Sequence, residues 1–240
     1  MRTLQNPLMR CVRVAVAVGA FPALGQSSFQ NLDFESALID QAQPPGFVGI
    51  TDALPGWSVY YGTNQQTQVL FNVVDHGGTV VDLLGANGSS LTDSYRSIQG
   101  GFSVLLQGGV TGGAVLYPTP ASIRQMGLVP VGSHSIMFKA QPENGTLIVS
   151  LGGVSVPYFA LSTGPNYILY GGDVSAFAGQ TVELDLSLSR APGADYSNLN
   201  VDSIEFSAST IPEPSVLTLS ALGSMLLAWR FLRQTHHQLL

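Results

Sequence analysis

Thr181–Leu188 reads TVELDLSL, and its clean alternation places Val182, Leu184, Leu186 and Leu188 on one face and Glu183 and Asp185 on the other. A period of two is the spacing of a half-buried strand, because successive side chains of an extended backbone point to opposite faces. Working outward, the same kind of short apolar or alternating run recurs at 57–61 (WSVYY), 67–74 (TQVLFNVV), 79–84 (TVVDLL), 102–107 (FSVLLQ), 135–140 (SIMFKA), 146–151 (TLIVSL), 167–170 and 201–207 (VDSIEFS). Gly, Pro, Asn or Asp bounds each run, and no amphipathic helix interrupts the series between 29 and 207. Many short strands with turn signals between them predict an all-β, antiparallel sandwich. Asn144-Gly145 is the strongest hairpin signal, since a two-residue turn demands positive φ.

The two ends of the chain have a different character. Arg2, Arg10 and Arg13 precede an apolar run at 14–24 (VAVAVGAFPAL) that is too short to span a bilayer, and Ala23-Leu24-Gly25 offers small residues to a signal peptidase. The pattern predicts a signal helix over 1–25, with cleavage before Gln26. Cys11 is the only cysteine and lies inside that segment, so the exported domain, 26–210, has neither a disulfide framework nor a thiolate metal site. At the other end, 211–240, Pro212-Glu213-Pro214 is stiff and extended, and an apolar run at 216–229 follows, closed by Arg230 and Arg233. Counted from Val216 through Leu232 the stretch is seventeen residues, at the lower edge of a membrane helix.

Between the ends, fourteen acids face four bases (Arg96, Arg124, Lys139, Arg190), which leaves the domain near −10. With no basic cluster, nucleic acid is excluded as a partner.

The C-terminal order of Pro212-Glu213-Pro214, apolar helix and Arg230/Arg233 resembles the PEP-CTERM sorting signal. That resemblance implies processing by an exosortase, transient anchoring in the inner membrane, and delivery to the cell envelope or beyond in bacteria that make extracellular polysaccharide. The seven residues after Arg233 depart from the usual basic end. In the middle domain, 122–130 (SIRQMGLVP), 173–181 (DVSAFAGQT), 31–35 (NLDFE) and 200–206 (NVDSIEF) resemble galactose-binding-like jelly rolls of bacterial surface proteins. The resemblance implies a jelly roll whose first and last strands, 31–35 and 200–206, come together, with Glu35 and Asp202 or Glu205 positioned to hold a structural Ca²⁺.

No catalytic signature is present: there is no Gly-x-Ser-x-Gly elbow, phosphate loop, His-Glu-x-x-His helix or cysteine nucleophile. His76, beside Asp75 and two glycines, reads as a turn residue. For sugar binding the useful groups are aromatic rings beside polar side chains, which points to Tyr95, Arg96 and Trp57. These readings predict an exported, non-enzymatic surface or matrix protein that binds extracellular polysaccharide. A glycan hydrolase working through carboxylates alone is the rival.

Overall fold

In the computed structural model of the chain, residues 27–211 are described apart from the stretches 74–76, 89–94, 113–114 and 143. The signal segment, His76 and the sorting motif (Pro212, Glu213, Pro214, Arg230, Arg233) therefore lie outside the described residues. Among those that are described, no helix is long and apolar enough to cross a membrane.

The strands in chain order are β1 (Gly46–Gly49), β2 (Ser58–Tyr61), β3 (Asn64–Gln65), β4 (Gln68–Phe71), β5 (Val80–Gly85), β6 (Phe102–Thr111), β7 (Tyr117–Thr119) and β8 (Ala121–Leu128). They continue as β9 (Ser135–Pro142), β10 (Leu147–Leu151), β11 (Val154–Ser155), β12 (Tyr158–Thr163), β13 (Ile168–Asp173), β14 (Thr181–Leu188) and β15 (Ser197–Ser207). One sheet runs β1-β4-β5-β6-β15-β9-β13-β12, with β7 added beside β6; the other runs β11-β10-β14-β8-β2-β3. The described chain is thus a β-sandwich with almost no helix. Every strand pair is antiparallel except β4 with β5, which run parallel.

The alternation in β14 does what its period requires. Leu184, Leu186 and Leu188 are fully buried and meet Val104, Leu106, Phe138 and Val201 of the facing sheet in one core. On the outer face Asp185 is not simply solvated. Its carboxylate lies 3.2 Å from the Arg124 guanidinium, which in turn sits over the Tyr60 ring at 4.5 Å.

Three local expectations are corrected. Asn144-Gly145 turns the chain from one sheet to the other, because β9 and β10 belong to different sheets; the Asn144 side chain instead accepts the Asn198 N–H at 3.1 Å. The segment 31–35 is not a strand. Asn31 and Phe34 both take positive φ (50° and 62°), and the resulting turn drives Phe34 into the core against Trp57. In β15 the alternation expected over 201–207 breaks at a bulge between Asp202 and Glu205, where Ser203 has φ +49°. One extra residue re-phases the strand, so Val201 and Ile204 both reach the core.

β15 is the longest of the described strands: its eleven residues span about 33 Å. Both described chain ends meet at its C-terminal end. There Phe29 stacks on Phe206 at 5.2 Å, the Leu128 N–H donates to the Ser27 carbonyl at 2.9 Å, and Ile211 fills the space above Gly171.

Candidate functional site

At the opposite end of β15 lies a cleft of about 460 Å³, lined by Gly77, Val110, Leu116, Arg190, Asp195 and Tyr196. Its construction starts from two glycines. β6 runs on past the expected end at Gln107 through Gly108-Gly109, and neither position has room for a side chain. A Cβ on Gly108 would lie 2.6 Å from the Leu188 carbonyl and 2.7 Å from the Arg190 nitrogen. One on Gly109 would lie 2.3 Å from the Gly78 carbonyl. Glycine inside a strand often marks such a close backbone approach. Two segments therefore close over the end of β6, one entering β5 and the other leaving β14.

Hydrogen bonds hold this frame. Val110 donates its N–H to the Gly77 carbonyl and Thr79 returns one to Val110, while the Gln107 amide donates to the Gly78 carbonyl at 2.6 Å. On the other wall the Ala191 N–H donates to Ser197 Oγ at 2.9 Å, and the Ala194 N–H to the Ala191 carbonyl, closing the turn that presents Asp195 and Tyr196. Gly108→Ala is expected to wedge β6 away from 188–190. The cost is about 1–3 kcal/mol of stability, measurable by denaturant titration.

The cleft sets apolar surface (Val110, the 60% exposed Leu116, the Tyr196 ring) beside one cationic fork and one carboxylate. A smaller concavity of about 270 Å³ lies at the β12–β13 turn. Its aromatic, Tyr167, is already engaged, with its ring against Gly164 and Lys139 Nζ 5.3 Å from its centroid. The first cleft is the better equipped.

The sequence-predicted ligand residues are elsewhere, and the structure does not bring them together. Trp57 is 5% exposed, lies against Phe34, and donates its indole N–H to the Asn31 carbonyl at 2.9 Å, so it is a core residue. Tyr95 packs on Leu84 and Leu105 of the nine-stranded sheet, its hydroxyl accepting from the Asn198 amide. The Arg96 carbonyl accepts from the Asn200 amide at 3.0 Å. The described part of this loop, 95–101, thus crosses the sheet's outer face, outside the cleft lining. The signals that could have found the cleft were the Gly108-Gly109 pair and the Arg190 to Tyr196 turn.

Of the three acids expected near Ca²⁺, the structure brings Glu35 and Asp202 to the same loop and leaves Glu205 exposed. The Gly101 N–H points at both Glu35 oxygens (2.9 and 3.0 Å), and the Phe102 N–H adds a third contact at 3.2 Å. Asp202, 1% exposed, accepts the Gln99 N–H at 2.9 Å and the Ser203 N–H at 2.5 Å. Burial pushes its carboxyl up to about 6, against the opposing pull of those hydrogen bonds and of Lys139. Amide hydrogens meet the oxygens with which each carboxylate would hold a cation, and among the described residues no three His, Cys, Asp or Glu side chains converge. This donor set does not fit a Ca²⁺ shell, which needs six to eight oxygens.

No family model matches the chain. No curated protein matches it either. Among solved structures it is similar to TmCBM61 in complex with β-1,4-galactotriose, at 14% identity and a TM-score of 0.40, covering 76% of this chain and 98% of that one.

Proposed function

We propose that this chain is an exported surface or matrix protein whose sandwich binds polysaccharide in the cleft at the N-terminal end of β15, without turning it over. The observation that carries the reading is the cleft's composition: Leu116, Val110 and the Tyr196 ring beside Arg190 and Asp195. Sugar rings present C–H faces that pack on apolar and aromatic surface, and hydroxyls that need directed donors and acceptors. Hydrolysis of a glycosidic bond ordinarily needs two carboxylates flanking it, and among the described lining residues Asp195 is the one carboxylate.

In this reading a signal peptidase removes 1–25, and an exosortase acts on the tail that begins near Ile211. The acid-rich domain stays soluble outside the cell through its charge. Native electrophoresis of the full chain in mild detergent, through gels cast with individual polysaccharides, tests the binding. Retardation by at least one polysaccharide, with no reducing ends released on incubation, is expected. Release of reducing ends would replace the binder with a hydrolase.

A further inference from the structure

We infer that the cleft selects a neutral polysaccharide and that Arg190 and Asp195 together read a pair of adjacent hydroxyls on one sugar. The inference rests on the glycan reading above and narrows it to a ligand class.

Arg190 and Asp195 line the same cleft, five positions apart on the segment joining β14 to β15. A guanidinium can only donate and an ionised carboxylate can only accept. A hydroxyl does both, so a pair of neighbouring hydroxyls can accept from Arg190 and donate to Asp195 with nothing left unpaired. Both contacts are charge-assisted, the stronger class of hydrogen bond.

An acidic sugar fits this pair badly. A uronate carboxylate drawn to Arg190 would be brought up to Asp195, and like charges placed together cost binding energy. The wider field acts the same way: fourteen acids against four bases over 26–210 repel a polyanion before it arrives. Specificity then comes from a repulsive element as well as an attractive one. The apolar part of the lining, Val110, Leu116 and the Tyr196 ring, is left for the uncharged C–H face of the sugar.

The test compares retardation of the full chain by neutral galactan, mannan, xylan and dextran with that by polygalacturonate and alginate, at one fixed ionic strength. The wild-type chain should be retarded by a neutral polymer and by neither polyuronate. Asp195→Asn should weaken the neutral interaction about tenfold, as loss of a charge-assisted acceptor implies, and should bring on retardation by the polyuronates. Arg190→Gln should weaken neutral binding without admitting polyuronates. Asp195 is exposed and Arg190 half-exposed, so melting temperatures are measured for both variants, and an unchanged value for Asp195→Asn separates a lost contact from a lost fold. Preferential retardation of the wild type by a polyuronate, strengthened in Asp195→Asn, would overturn the inference while leaving glycan binding intact. Retardation by no polymer in the panel would overturn both.

Discussion

Asp202→Asn is expected to flatten the acid side of the domain's stability profile. In the wild type the Asp202 carboxyl is raised from 3.8 to about 6, chiefly by burial, so the folded state holds its proton more tightly than the unfolded chain does. Its stabilising contribution is fully present below pH 4 and is lost as pH rises through 6. Each tenfold gain in proton affinity on folding is worth about 1.4 kcal/mol, so the contribution amounts to about 3 kcal/mol, a sizeable share of a domain's usual 5–15 kcal/mol. Asp185 is raised in the same way, by burial first and by Glu183, with Arg124 opposing, so the comparison of variant with wild type is what isolates Asp202. Urea titrations at pH 4, 5, 6 and 7 should show the wild type weakening more steeply than Asp202→Asn; parallel profiles would contradict the account. The same experiments with a chelator or with added Ca²⁺ should leave the wild-type midpoint unmoved, because amide hydrogens already occupy the Glu35 and Asp202 oxygens. A bound ion at a hundred times its dissociation constant would instead add about 2.7 kcal/mol.

The second large effect is geometric. The cleft opens at the start of β15, and the described chain ends lie at its finish, about 33 Å away. Attachment through either chain end therefore leaves the cleft facing outward. Cys11 is the only cysteine of the chain, so in a Cys11→Ser background one engineered thiol can serve as the sole tether. Val131 is 86% exposed and lies beside Gly179, at the end where the described residues of the chain begin and end. Ala194 lies in the turn next to Asp195. A surface coated through Val131→Cys should capture a high-mass polysaccharide as well as the free protein does. One coated through Ala194→Cys should capture almost none, although both variants bind equally in solution. Equal capture by the two surfaces would place the ligand elsewhere.

The frame was legible in the sequence wherever one physical cause dominated. The alternation of Val182, Leu184, Leu186 and Leu188 sets β14 to the residue, because one face meets the core and the other does not. The turn that Asp173 begins is equally local: its carboxylate accepts the Ser175 N–H at 2.8 Å and hydroxyl at 2.6 Å, which also holds it below its ordinary range. Legibility failed where distant partners decide. Asn144-Gly145 has hairpin chemistry, yet turn residues do not choose which sheet the next strand joins. Phe34 looked like a strand residue, but the positive φ at Asn31 and Phe34 is sustained by tertiary contacts, among them the Ile204 N–H donated to the Leu32 carbonyl at 2.9 Å. Trp57 can serve as a ligand platform only with its ring exposed, and it is the contact with Phe34 and the indole N–H donated to the Asn31 carbonyl, both set by the distant 31–34 turn, that bury it. The cleft is only half legible for the same reason: Gly108-Gly109 marks a close backbone approach, but Gly77, Leu116 and Arg190 to Tyr196 are far apart in sequence, and nothing local says that theirs are the segments that meet there.

If the cleft holds the sugar, Tyr196 carries a large share of the contact. The most direct measurement is a calorimetric titration of wild type and Tyr196→Ala with oligosaccharide cut from whichever polymer retards the wild type. Loss of an aromatic anchor from the middle of a contact costs about 2 kcal/mol, roughly a thirtyfold rise in Kd. That loss is expected in Tyr196→Ala, measured on protein shown to be folded by its denaturation profile, and no comparable loss in Tyr95→Phe, because Tyr95 lies outside the cleft lining. Full affinity in Tyr196→Ala, or a larger loss in Tyr95→Phe, would contradict that expectation.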